Sequence, residues 1–339
     1  MIIDCHGHFT TAPAALGQWR EQQITAFNDG MQAPRPSALQ ISDDEIRLAI
    51  EPWQLKFLHE RGSDMILFSP IASHMGHSVG DEAVSRVWSQ VANDLVHRAC
   101  RLYPQHLAPV CQLPQSPGAS PAGCIEELRR CVEDLGFVGC NLNPDPSGGF
   151  WRDPPITDPW WYPLYEEMVR LDVPAMIHVS GSCLHCVHTT GAHYLHGDTT
   201  AFMQMLTSDL FDRFPTLRFV IPHGGGAIPY HWGRYRGIAQ DMGRDIDELL
   251  SNVFFDTCVY HSNGLEMLLK TIPSKNILFA SEMLGAVRGV NPDTGHYYDD
   301  TKYYFDELDM LDPKDAQLIF EDNVRAIYPR LNAHLDALT

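Results

Sequence analysis

A chain of 339 residues with 44% hydrophobic and 20% charged residues has ordinary globular usage, with enough apolar side chain for a large core and no low-complexity or repeated segment. Its 24 Lys and Arg against 43 Asp and Glu give a net charge of −19, a field that repels phosphate backbones and anionic lipid surfaces and argues against nucleic-acid or membrane binding. Nine cysteines, odd in number and irregularly spaced, fit reduced thiols in a cytoplasmic protein, and the opening MIIDC lacks the basic and apolar regions of a secretory leader. No apolar stretch approaches the ~20 residues of a spanning helix.

Short apolar runs without alternation recur along the chain, as strands covered on both faces require. The first is Met1–Cys5, followed by a stretch from Phe9 to about Gly62 that is too long for one strand–helix connection and is expected to form an insertion over the barrel mouth. Asp64–Phe68 is the second run, and Asp81–Tyr103 after it has apolar residues three and four apart, ending at Pro104. Leu107–Leu113 precedes a helix over Ala122–Leu135, which starts after Ser120-Pro121 and stops at Gly136. Phe137–Leu142, Val173–Val179, Leu217–Ile221, Val253–Asp256 and Asn276–Ala280 complete eight candidate strands. Helix-period segments at Tyr162–Leu171, Thr200–Phe214, Asp245–Leu250, Gly264–Leu269 and Lys314–Ile327 separate or follow them. Strand and helix alternating about eight times predict a parallel (β/α)₈ TIM barrel with an insertion after the first strand, as one domain over residues 1–339; a doubly wound open sheet is the alternative.

His6-Gly7-His8 directly follows the first strand, and in an extended chain residues two apart project to the same face, so both imidazoles can reach one ion. Such pairs also arise by chance, and a single buried histidine is usually structural. The other candidates change that balance. His178 ends the fifth strand, His223 the sixth in PHGGG, and Glu282 the eighth. Barrel enzymes gather their catalytic groups at the C-terminal ends of strands, so these positions converge.

This order (HxH, then His, then HGGG, then an acid) resembles the amidohydrolase superfamily, in particular the subgroup of aminocarboxymuconate-semialdehyde and resorcylate decarboxylases. Ile319–Tyr328 (IFEDNVRAIY) resembles that subgroup's closing helix, and the likeness spans essentially the whole chain. Those decarboxylases carry Asp after the eighth strand where this chain has Glu282, and that glutamate, with the opening MIIDCHGHFTTAP, is similar to the 4-oxalomesaconate hydratases. Asn141-Leu142-Asn143 offers no Lys for carboxylation, which argues against a binuclear site.

The resemblance implies one divalent metal per chain, Zn²⁺ or another, held by His6, His8, His178 and Glu282. Three imidazoles and a carboxylate suit zinc, which lowers the pKa of bound water towards ~7. Glu282 is then also the catalytic acid or base, and His223 an acid/base beside the metal rather than a fifth ligand. The implied reaction is hydration of the tricarboxylate 4-oxalomesaconate, or its enol tautomer, in protocatechuate or gallate breakdown. The alternatives are a decarboxylase of an aromatic or muconate acid, a hydrolase of a lactone or amide, and a non-catalytic metal-binding protein. A tricarboxylate needs hydroxyls and cations around it, and Ser69, Ser73, His74, Tyr194 and Arg234 are the candidates on the same mouth. A homodimer is also implied.

Two further features stand apart. Cys183-Leu184-His185-Cys186-Val187-His188 contains C-x-x-C, but it lies in one loop without a second pair, and a solvated loop is the simpler reading. Gly224-Gly225-Gly226 lacks the Lys and Ser/Thr of a phosphate loop, and its expected use is close backbone approach to the metal pocket.

Overall fold

The computed structural model describes residues 1–338. Eight parallel strands follow one another in chain order: β1 (Ile3–His8), β2 (Met65–Ser69), β3 (Leu107–Gln112), β4 (Gly139–Leu142), β5 (Ala175–Ile177), β6 (Phe219–Ile221), β7 (Val253–Asp256) and β8 (Ile277–Leu278). The Cys5 N–H donates to Phe279 O at 2.9 Å and the Glu282 N–H to His6 O at 3.0 Å, which brings the sheet round to a nearly closed barrel. With helices between the strands, this is the (β/α)₈ architecture.

Side chains alternate along each strand. One set, including Met65, Leu67, Ala108, Val110, Met176, Val220 and Phe254, fills the barrel interior. The other, including Ile66, Phe68, Cys140, Ile177, Phe219 and Phe255, packs outward on the helices. The C-terminal Val324, Tyr328, Leu331 and Leu335 join the inner set, and the Tyr328 ring sits against Gly139 where β4 begins, so this segment covers the foot of the barrel. Following the inner positions by twos leads upward from apolar to polar: Leu67 to Ser69, Met176 to His178, Phe254 to Asp256. The mouth is polar because the period is two.

β1 needs one extra device. Ile3 and Cys5 belong to the inner core, so strict alternation would turn His6 and His8 outward. The pairing of β1 with β2 shifts between Asp4 and Gly7, where an extra residue on β1 reverses the phase and points both imidazoles inward. The His6 N–H, freed from the ladder, donates to Asp4 Oδ1 at 3.0 Å, and the same carboxylate accepts the N–H and hydroxyl of Ser281. Gly7 then faces β2 with no room for a side chain, since a Cβ would stand 2.1 Å from Ile66 Cγ2.

The long connection after β1 is helical. Ser42 and Glu45 form a reciprocal capping box that starts the run Asp43–Ile50, Glu51–Leu55 and Lys56–Glu60, which widens by a turn at Pro52, a residue with no N–H to give. That run returns the chain to β2. The added helix Ala14–Asn28 packs on the helix Glu82–Leu102 through Trp19 stacked on Trp88, with ring centroids 6.3 Å apart. The Arg20 guanidinium covers the same Trp88 ring and donates to Gly76 O, so the insertion sits at the rim beside the loop that follows β2.

His77 in that loop is 1% exposed, bonded through Nδ1 to Ser85 Oγ at 2.7 Å. Burial, with Arg20 nearby, holds its pKa down to about 3. A histidine neutral in the folded state and protonated when unfolded contributes stability above its unfolded pKa of ~6.5 that is lost as pH falls toward 3. Unfolding free energies from denaturant titrations between pH 7 and 4 should therefore fall more steeply for the native chain than for His77→Phe, by about 1.4 kcal/mol per pH unit below ~6. Parallel slopes would show that His77 is not the titrating group.

Candidate metal centre

Four histidines meet at the mouth. His6 and His8 come from the end of β1, His178 directly follows β5, and His223 follows Pro222 after β6. The Nε2 atoms of His6 and His8 are 3.0 Å apart, and those of His8 and His178 3.2 Å. His6, His178 and His223 share with Glu282 a group of ligand atoms all within 4.8 Å of one another. His6, His8, His178 and Glu282 are each at most 4% exposed.

The outer nitrogens explain why the inner ones face each other. His6 Nδ1 lies 2.7 Å from Asp256 Oδ2, His8 Nδ1 2.7 Å from Ser69 Oγ and 3.2 Å from Pro70 O, and His178 Nδ1 2.9 Å from Val179 O. A carbonyl or carboxylate oxygen only accepts, so these Nδ1 atoms carry the proton and each Nε2 presents a lone pair. Burial first, and the neighbouring imidazoles second, push the pKa of His8 and His178 well below the usual range, which keeps both rings neutral. Lone pairs gathered at about 3 Å repel unless a cation lies among them, and outer acceptors that fix each tautomer are the usual support of metal-binding histidines. The residues fit a divalent ion.

His223 is wired differently. Its Nδ1 bonds Asp198 Oδ2 at 2.9 Å, while Nε2 is buried with no hydrogen-bond partner among the described residues, 3.9 Å from Glu282 Oε2. Burial opposes its protonation, yet Asp198, Glu282 and Asp256 outweigh that and raise its pKa to about 9. Asp198, fully buried, is itself pushed up to about 6. Asp256 stays below the usual carboxylate range: burial opposes its ionisation, but His6, His223 and the Gly224 N–H hold the charge. That N–H reaches Asp256 because Gly224 has φ +63, and a Cβ there would meet Val259 Cγ2 at 2.5 Å. Close backbone approach is thus what the glycine run supplies.

Glu282 stands just past β8 at φ 49, with its N–H on His6 O. Tyr260, in the loop after β7, donates its hydroxyl to Glu282 Oε2 at 2.7 Å. The loop beyond Glu282 is held by Asp299, which accepts the Leu284 N–H at 2.6 Å and pairs with buried Arg61 at 2.7 Å. A small cavity opens over the centre, lined by His8, Thr10, Ser73, Thr190, Tyr194 and Glu282 among others. A larger hollow beside Asp209, Arg244 and Glu248 lies on the helical wall, and none of the four histidines lines it.

Of the residues expected to meet a substrate, Ser73 and Tyr194 line the cavity. Ser69 is committed to His8, to the Gly7 and Pro70 carbonyls and to Asn141. His74 is exposed beside Ser73, and Arg234 is exposed on the helix Trp232–Asp241; neither lines the cavity. Cys183 and Cys186 are exposed, and both fall outside the ligand clusters found among the described residues. Asp198, Asp256, Tyr260 and Thr190 escaped the sequence reading. VFFD did place Asp256 at a strand end, the one signal that pointed to it.

Residues 3–330 match the amidohydrolase family. The chain is 58% identical, over 99% of its length and 98% of the other, to a 2-keto-4-carboxy-3-hexenedioate hydratase of Sphingobium sp.. It also superposes on the crystal structure of a 4-oxalomesaconate hydratase from Rhodopseudomonas palustris with a TM-score of 0.92 and 54% identity, covering 100% of this chain and 98% of that one. A gamma-resorcylate decarboxylase of Rhizobium sp. is 30% identical over 54% of the chain and 58% of its own length.

Proposed function

The chain belongs to the amidohydrolase family, and from that premise we propose that it is a metal-dependent hydro-lyase adding water to 4-oxalomesaconate, or its enol tautomer, to give 4-carboxy-4-hydroxy-2-oxoadipate. The observation that carries this reading is Glu282: a carboxylate facing His223 across 3.9 Å on the wall of the cavity, where it can move a proton. His6, His8, His178 and Glu282 would hold the ion. Zn²⁺ is the metal we assign, because the donor set is three imidazoles and a carboxylate. When bound, such an ion supplies Lewis acidity that makes hydroxide available near neutral pH.

The chain's own groups account for the protons. Glu282 takes one from the attacking water as its oxygen bonds the carboxyl-bearing alkene carbon. The alkene electron pair moves to the adjacent carbon, which takes the Nε2 proton of His223. Asp198 holds Nδ1 of that imidazolium, so the ring keeps its aim as its charge changes. The proton that Glu282 took from water then passes to Nε2 of His223, restoring both groups. Hydroxyls of Ser73, Tyr194 and Thr190, which line the cavity, would meet the carboxylates, with His74 and Arg234 as the outer candidates and Ser69 acting through His8. We place the reaction in protocatechuate or gallate breakdown, in the cytoplasm, with a homodimer as the assembly.

Purified zinc-loaded protein should consume 4-oxalomesaconate with no release of CO₂, and metal analysis should return about one ion per chain. Release of CO₂ from an aromatic or muconate acid would instead establish the decarboxylase reading, which the similarity to resorcylate decarboxylases keeps in view. Failure to hydrate with zinc present would end the proposal.

A further inference from the structure

Glu282 is fixed at more points than a ligand alone needs. Its N–H is bound to His6 O, and its stem lies over Gly285, where a Cβ would meet Glu282 Cγ at 2.7 Å. Tyr260 then takes Oε2 at 2.7 Å, the same oxygen that faces His223. Both Tyr260 (φ 63) and Glu282 (φ 49) sit in the left-handed region that bulky residues avoid, so the backbone is bent at both ends of this one hydrogen bond. The bend is braced: Thr257 Oγ1 donates to Ala280 O at 2.9 Å and accepts the Ala280 N–H at 2.8 Å, tying the loop after β7 to the end of β8 two residues before Glu282.

We propose that Tyr260 is a positioning residue for Glu282: its hydroxyl captures Oε2, so the carboxylate presents one fixed face to metal and substrate instead of turning between one-oxygen and two-oxygen contact. This rests on the metal-dependent hydratase reading and adds to it how one glutamate serves as ligand and as base. A carboxylate chelating through both oxygens would have neither free as a base, whereas with Oε2 held by Tyr260 the other oxygen would serve the ion and Oε2 would keep its second lone pair for the proton of the water.

The test is a double-mutant cycle on metal binding, using the full chain and Co²⁺ as a spectroscopic probe. Y260F removes one hydroxyl at a half-buried position, and an unchanged melting temperature confirms the fold. We expect Y260F to weaken Co²⁺ affinity about tenfold in competition with a chelator and to alter the visible cobalt spectrum. In zinc-loaded enzyme kcat should drop about tenfold or more with KM within about twofold. In a Glu282→Ala background the same substitution should change affinity and spectrum no further, because the partner is gone. Equal losses with and without Glu282, or no loss in either, would overturn the proposal. A native chain that binds Co²⁺ and responds to Y260F yet fails to hydrate would refute the hydratase reading and leave the role of Tyr260 standing.

Discussion

Glu282→Gln should lower kcat/KM by about 10³-fold while the protein still takes up close to one metal ion per chain. The amide keeps the size of the side chain and one oxygen able to reach an ion, so the loss isolates proton transfer from metal binding. The geometry supports so large an effect. Glu282 is 2% exposed, shares the cavity wall with His8 and Tyr194, and faces at 3.9 Å the His223 Nε2, which has no hydrogen-bond partner among the described residues. Among the described residues no other carboxylate lines the cavity: Asp198 and Asp256 are spent on the outer nitrogens of His223 and His6. Single-turnover kinetics and metal analysis on the same preparation check both halves of the expectation. A variant that lost its metal along with its activity would make Glu282 chiefly a ligand.

Asp256→Asn should weaken metal binding by about 10–100-fold, with activity recovering only as metal is raised. Asp256 is fully buried and accepts from His6 Nδ1 through one oxygen and from the N–H groups of Gly224 and Cys258 through the other. Those two N–H groups turn the asparagine oxygen toward themselves, which leaves its NH₂ facing His6. An NH₂ there favours a bare Nδ1 and a protonated Nε2, the tautomer that cannot ligate. The substitution is nearly isosteric, so the melting temperature of metal-free protein should move little beside the metal affinity. Unaltered affinity in a chelator titration would mean that the tautomer of His6 is set by something other than Asp256.

Much of this protein was legible in order along the chain. Uninterrupted apolar runs ending in polar residues mark strands buried on both faces, and their alternation with helical periods leaves a parallel barrel as the leading topology. A barrel sends the ends of its strands to one mouth, so His6, His178, His223 and Glu282 could be expected together before any distance was known. Ser42 with Glu45, a capping box visible in the residues, also announced a helix inside the long insertion that went unread.

Only the tertiary structure decided the rest, because it depended on contacts between residues far apart in the chain. The bulge that turns His6 and His8 inward is held at the seam where β8 meets β1 by Asp4, which accepts the N–H and hydroxyl of Ser281, 277 positions away. The acceptors behind the rings, Asp256 for His6 and Asp198 for His223, are assigned to their partners only by their atoms' positions, although VFFD puts Asp256 at a strand end. Tyr260 has no sequence signature at all: its hydroxyl matters because two bent loops bring it within 2.7 Å of Glu282. Sequence periodicity sets the face a residue takes along an unbroken strand, but the bulge that reverses it in β1 and the pairing of one side chain with another are settled by packing.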